Sequence, residues 1–366
     1  MLMPITLDKL KTVSTLITLC CFVNMISHCE TPNMRGAQFI PFDSLSSFKL
    51  SPASRSDETV LTSPIIQSRI SWDELIVSWN AGMPADAALQ VEVSAVYPGH
   101  STKFYSLGLW SADLSKHPRE SVPGQKDADG DVLTDTLVLK NPAEQFQIRV
   151  TLQGDKSSKP AVKFLGVSLL NSKSRAEPLP SNRTVWGKII PVPERSQMAY
   201  KDGSKLCSPT AVSMLLAYWA DRLRRPDLDH DVPEIARAVD DPNWPGTGNW
   251  SFNMAYAGSF SGMRAYVTRL TDVSELEDWI AHDIPVGLSV CYNRLRGKSR
   301  EPSGHVVVLC GFTETGDAVI NDPGTRKNVR KTFPRANLID AWSYSRNTVY
   351  LIYPENLQPP GEGSQH

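Results

Sequence analysis

Cys207 is the residue whose type and setting most directly suggest chemistry. It opens Leu206-Cys207-Ser208-Pro209-Thr210, and from Ala211 to Ala220 only Ser213 is strongly polar. A segment apolar on nearly every face reads as a helix enclosed by other elements. Pro209 suits the first helical turn, where its missing N–H costs nothing. Cys207 and Ser208 then fall at or just before the N-cap, where free backbone N–H groups and the positive end of the helix dipole favour an anion. For a cysteine that anion is the thiolate, the nucleophilic form. The same position also suits a cysteine that fills space as a small buried hydrophobe.

A thiol nucleophile needs a base, and the base needs a group to orient it. His305 heads the apolar strand Ser303-Gly304-His305-Val306-Val307-Val308-Leu309-Cys310-Gly311, whereas His100, His117, His230 and His282 lie in polar or turn contexts. If Thr313 to Gly316 form a four-residue hairpin loop, Phe312 faces Asp317 and Val307 faces Asp322. His305 and Asp322 then become diagonal neighbours on one sheet face, about 7 Å apart between backbones. A shift of one residue puts Asn321 there instead.

Three ordered motifs, Leu206-Cys207-Ser208-Pro209-Thr210, Gly304-His305-Val306-Val307-Val308 and Ile320-Asn321-Asp322-Pro323-Gly324, carry a resemblance. From about Pro191 to Tyr353 the chain resembles the C39-like cysteine peptidases of the papain-like superfamily, with Gly248-Asn249-Trp250 and Ile284-Pro285-Val286 in the expected places between. The resemblance implies Cys207 as nucleophile, His305 as general base and acid, and Asp322 as the group that fixes the imidazole. It also implies a role for Gln197, which matches a glutamine that helps bind the oxyanion. Such a donor, acting with the backbone N–H of Cys207, is typically worth about 3 kcal/mol. Ser208 departs from relatives that often carry glycine after the cysteine.

The activity so implied is hydrolysis of a peptide or isopeptide amide by a cysteine peptidase, on a peptide or protein substrate, with no metal or organic cofactor. Two other readings stay open. One is a catalytically silent surface-binding or adhesion protein with a papain-like domain; the other is a cell-wall amidase or acyltransferase. The membrane-spanning bundle and phosphate-binding glycine loop of transporter-fused relatives are not found in the sequence.

The elements that must position these residues follow from patterning. After Cys207 come helical stretches and then apolar strands, Pro285–Tyr292, Gly304–Phe312, Ala318–Asp322 and Thr348–Tyr353, which indicates an α+β domain with a sheet covered on both faces. Ser274 with Glu277 three residues on has capping-box spacing for a helix to His282. Residues 36–172 carry short β-rich runs divided by Asn80-Ala81-Gly82-Met83-Pro84, Tyr97-Pro98-Gly99 and Asn141-Pro142, which suggests an all-β sandwich or jelly roll. The expected architecture is thus an α+β papain-like cysteine peptidase domain, 191–355, preceded by a β-sandwich accessory domain. A proline-marked linker, 173–190, joins them, and a disordered tail, 356–366, ends the chain.

In the β-region, Asp127-Ala128-Asp129-Gly130-Asp131 begins like a calcium loop, but its glycine falls too early, at the fourth place rather than the sixth, and Val138 stands where a glutamate is needed, so a hairpin turn is the better reading. Trp72, Trp79 and Trp110 are expected in the core rather than on a sugar-stacking platform. A glycan or cell-surface ligand for this domain is a guess from architecture alone.

Residues 1–29 have the layout of a secretory signal peptide, with Lys9 and Lys11 before the uncharged run Val13–Ile26, which is too short to span a bilayer comfortably. Export to the periplasm, cell surface or medium is expected, with no membrane span after signal removal; Cys29 leaves lipid anchoring as a minor alternative. Beyond the leader only Cys207, Cys291 and Cys310 remain, an odd number. Cys291 and Cys310 sit in apolar strands, as buried thiols or, if the strands are neighbours, a mutual disulfide. With 38 Lys plus Arg against 39 Asp plus Glu, the overall charge suggests no nucleic-acid partner.

Overall fold

The computed structural model describes residues 35–155, 158–244 and 246–360. The leader, with Cys20, Cys21 and Cys29, and the last six residues of the tail lie outside the described residues.

The first ten strands are β1 (Ala37–Phe42), β2 (Lys49–Ser51), β3 (Glu58–Thr62), β4 (Ile66–Gly82), β5 (Ala88–Tyr97), β6 (His100–Ser101), β7 (Tyr105–Ser111), β8 (Gly130–Leu133), β9 (Thr136–Gln153) and β10 (Ala161–Leu170). They join in one antiparallel hydrogen-bonded sheet with the spine β1-β10-β4-β9-β3-β2. The sheet branches at β9, whose first half lies between β8 and β4 and whose second half lies between β3 and β5.

Asn141-Pro142, read from sequence as a turn, lies inside β9. Between the pairs Trp72↔Ala143 and Glu74↔Val138 the ladder takes two steps on β4 and five on β9. An irregularity of that kind accommodates a proline without a chain reversal. Asn80 is likewise within β4, because its buried side chain is satisfied by the Ala265 backbone, donating to its carbonyl at 2.7 Å and accepting from its N–H at 3.0 Å.

Trp72 and Trp79 are fully buried and Trp110 nearly so, with edge contacts to Phe146 for Trp72 and to Phe252 for Trp79. Asp127 caps a turn that leads into β8. Its Oδ1 accepts from Tyr105 and from the backbone N–H groups of Asp129 and Gly130, and Lys103 pairs with Oδ2.

The remainder comprises α1 (Cys207–Leu223), α2 (Val232–Val239), α3 (Trp250–Ala257), β11 (Met263–Arg269), α4 (Val273–Ala281), β12 (Val286–Cys291), α5 (Tyr292–Leu295), β13 (Gly304–Phe312), β14 (Ala318–Asn321), β15 (Arg330–Phe333), α6 (Arg335–Ser343) and β16 (Thr348–Pro354). Six antiparallel strands form the order β11-β16-β12-β13-β14-β15. Every residue of α1 from Ser208 to Ala220 is buried, as a helix apolar on all faces requires. Its interior polar groups are satisfied: Ser213 Oγ donates to His230 O, and Trp219 Nε1 donates to Ile352 O.

The capping-box reading of α4 does not hold. Asp272 is the N-cap, and its carboxylate accepts from both the N–H and the hydroxyl of Ser274. Glu277 is fully buried and serves another purpose, taking Arg335, Trp186 Nε1 and the Asn182 N–H. A helix end takes whichever nearby carboxylate reaches its free N–H groups, and Asp272 reaches them first.

Candidate active site

The N-cap of α1 is Leu206, so Cys207 is the first helical residue. The helix buries its body, and Cys207 at its mouth is only partly buried. Ser208 turns inward, where its hydroxyl meets the Tyr350 hydroxyl at 2.7 Å with no exposure to solvent. The side chain that replaces the relatives' glycine is thereby absorbed by the core.

His305 is the second residue of β13 and buried. Its Nε2 meets Asp322 Oδ1 at 3.0 Å, and the ring lies near enough to the Cys207 thiol for the two to shift each other's titration. With Nε2 committed to the carboxylate, Nδ1 is the nitrogen left for sulfur.

The register that makes this possible contains a compensation. The hairpin between β13 and β14 closes on Phe312↔Ala318, one residue longer than a four-residue loop. By itself that slip would set Pro323 opposite Val307 and turn Asn321 instead of Asp322 onto the face of His305. A bulge between Leu309 and Gly311 takes up the extra residue, after which Leu309 faces Ile320 and Val308 faces Asn321. Asp322 therefore stands opposite Val307, beside the imidazole. Asn321 points to the other face, where Nδ2 reaches the carbonyls of Val192 and Pro193 and Oδ1 accepts from Arg330 Nε.

Asp322 is almost wholly buried and fully used. Oδ1 also accepts the Gly324 N–H at 2.9 Å, and Oδ2 accepts the Tyr292 hydroxyl at 2.8 Å. The Tyr292 ring leans on the imidazole, with centroids 4.3 Å apart, and the Arg296 guanidinium covers that ring. A Cβ at Gly324 would stand 3.0 Å from Tyr292 Oη, 3.1 Å from Asp322 Oδ1 and 3.2 Å from His305 Nε2, so any side chain there would press on all three groups where they meet. Tyr292 and Gly324 were not singled out from sequence. Their signals were faint: a tyrosine ending one strand, and a glycine two residues beyond the aspartate.

Gln197 is buried, and its backbone N–H donates to Pro323 O, which ties the segment before Cys207 to the loop after Asp322. Its Nε2 donates to Gly203 O at 2.7 Å and carries a second N–H, while Oε1 has no partner among the described residues.

Electrostatics follow the geometry. Burial pushes the Cys207 thiol up, but the hydrogen bond and charge of His305, with the N–H groups of Val306 and Ser208, more than reverse this and hold it below the ordinary thiol value. Burial pushes His305 down, yet Asp322 and the thiol together raise it to about 9. Asp322 is likewise penalised by burial but held low by His305, Tyr292 and Gly324. The arrangement favours a thiolate beside an imidazolium that a carboxylate fixes. Cys291 and Cys310 are free thiols; Cys291 pairs with Gly304 at one end of the β12–β13 ladder and Cys310 lies beyond its other end, too far apart for a disulfide. Burial pushes the Cys310 thiol up to about 12, an inert setting.

Comparison with known proteins agrees with the class these features define. Residues 189–350 match the sequence model of the Peptidase_C39 like family, and residues 51–169 match that of the Peptidase C39 N-terminal domain. The region that holds Cys207, His305 and Asp322 falls within the match to the C39-like peptidase family. At the level of that family the match supports a peptidase function and implies a peptide or protein as the class of substrate. Among solved structures, a candidate C39-like peptidase from Bacillus anthracis is 16% identical, covering 46% of this chain and 98% of its own, with a TM-score of 0.36. None of the curated proteins matches the chain. Among the described residues, no helix is long and apolar enough to cross a membrane.

Proposed function

We propose that the protein is an exported cysteine peptidase with a papain-like fold, which hydrolyses peptide or isopeptide amides through Cys207, His305 and Asp322. The observation that carries this reading is the convergence of a thiol at the mouth of a buried helix with an imidazole whose Nε2 is held 3.0 Å from a buried carboxylate, the thiol and imidazole favouring each other's charged form. Export rests on the composition of residues 1–29.

In this mechanism the Cys207 thiolate attacks the carbonyl carbon, and the π pair moves onto oxygen. The oxyanion is met by the Cys207 backbone N–H and by the second N–H of Gln197 Nε2. As the C–N bond breaks, His305 gives its Nδ1 proton to the departing amine, which leaves a thioester on Cys207. Water then attacks the thioester with His305 as base, and the thiolate is released with the acid. Asp322 keeps the imidazole oriented and compensates its charge throughout.

The test is the rate of Cys207 alkylation by iodoacetamide as a function of pH. Labelling should persist well below the ordinary thiol pKa and fall sharply in His305→Ala. A Cys207 that alkylates only as an ordinary thiol does would instead support the adhesion reading.

A further inference from the structure

Three loops bring the site together: residues 198–206 before Cys207, 292–304 before His305, and 323–329 after Asp322. They are physically joined, since Gln197 N–H donates to Pro323 O and Tyr292 links its loop to Asp322. These loops carry eight basic residues and two acidic ones, Asp202 and Glu301, in a chain whose overall balance is −1. Arg294 and Arg300 share Asp340. The other six, Lys201, Lys205, Arg296, Lys298, Arg326 and Lys327, are exposed and have no acidic partner among the described residues. Arg296 lies over the Tyr292 ring, one residue removed from the imidazole.

Asp231, exposed and accepting the Tyr200 hydroxyl, offsets part of this charge beside residues 198–206, but the aspartates of the segment joined to Lys205 O through the Thr247 hydroxyl are already engaged. Asp241 is buried and spent on the N–H groups of Ser121 and Asn243 and on Asn249, and Asp240 lies beside the buried Arg119. An even surface mixture would alternate signs; here one sign gathers around one opening. Unpaired like charges repel one another, and they are relieved when an anion enters among them.

We propose that the mouth of the site selects acidic peptide segments, with Asp or Glu side chains within about three residues of the scissile amide, a reach of roughly 10 Å along an extended chain. This rests on the peptidase reading for the word scissile; the charge of the mouth does not. Near neutrality of the whole chain conceals the asymmetry, because the excess of acid lies elsewhere.

Two measurements test it. In the first, Cys207 is alkylated in parallel by iodoacetate and iodoacetamide, which perform the same displacement of iodide and differ in charge. The iodoacetate-to-iodoacetamide rate ratio should exceed that of free cysteine by about three- to tenfold at low salt, and fall toward it in 0.5 M NaCl and in Arg326→Glu/Lys327→Glu. This arm needs no peptidase activity, so failure of the peptidase reading leaves it decisive. In the second, paired fluorogenic peptides that differ only by Glu or Gln near the cleaved bond are compared. The Glu peptide should have about tenfold higher kcat/KM at low salt, with the advantage lost in the double variant. A ratio equal to that of free cysteine overturns the proposal whatever the activity. Cleavage without preference for Glu does so too, as does a salt-sensitive rim that binds duplex DNA but not the acidic peptide.

Discussion

At the scale of single residues, the site is defined by how completely Asp322 is used. Three donors converge on its two oxygens, and the consequence appears in the titration of its neighbour. His305 has its pKa raised in the folded chain to about 9, so its contribution to stability is fully present below the unfolded value of about 6.5 and is lost as pH rises through about 9. Cys207 and Asp322 are lowered, so theirs is present above their ordinary values and lost as pH falls through the folded ones. The alkaline limb of kcat/KM should therefore have its midpoint near 9. In Asp322→Ala that limb should move down toward the ordinary histidine value, with a rate loss of about 100-fold or more. A profile of unchanged shape would remove Asp322 from its role. Gly324→Ala tests the same cluster sterically. With a methyl 3.0 to 3.2 Å from three polar atoms, the imidazole or the carboxylate must give way, and activity should drop at least about tenfold while Tm barely moves.

At the scale of elements, what could be foreseen depended on whether a signal was local. A helix hydrophobic on all sides announces itself, and so does an apolar strand such as β13, expected over Gly304–Phe312 and found with those ends. The choice between Asp322 and Asn321 did not, because it turns on two irregularities that cancel: a hairpin one residue longer than assumed and a bulge before Gly311. Composition carries little trace of a bulge, since its cause is the approach of another segment; a Cβ at Gly311 would fall 2.0 Å from Lys188 O. Pro142 within β9 was misread because the β4–β9 ladder breaks step around it, and the cap of α4 because Asp272 competes with Ser274 for the same backbone groups. The cap gives a direct check. Asp272→Ala should cost about 1–2 kcal/mol, since it also frees Arg35 and the Leu179 N–H, whereas Ser274→Ala should stay within about 0.5 kcal/mol; urea midpoints compare the two.

At the scale of the molecule, the first sheet and the helices around the site share a buried seam. Phe252 of α3 packs on Trp79 and Trp110, Ser251 Oγ donates to Val77 O, and Glu74 pairs with both Arg269 and Arg346. From the turn between β8 and β9, Asp135 reaches the first residue of α3 and accepts the Trp250 N–H at 2.6 Å. Its loop continues to Thr247, whose hydroxyl donates to Lys205 O, two residues before Cys207, so the first sheet is coupled to the site through α3. Burial pushes the Asp135 carboxyl up to about 6, against the opposing effects of the Trp250 N–H, the Thr136 hydroxyl and Arg269. A carboxyl raised on folding binds a proton that the unfolded chain has already released, so stability declines as pH climbs from about 4 to 6, by roughly 3 kcal/mol in total. Asp135→Asn keeps an oxygen for the Trp250 N–H and removes the titration. At pH 7.5 the variant should be as stable as the parent or more so, and its stability should change less between pH 4 and 6, as read from urea unfolding. A variant weaker at pH 7.5 would mean that Arg269 holds Asp135 as a needed anion, and that the seam is fastened by charge rather than by the hydrogen bond at the head of α3.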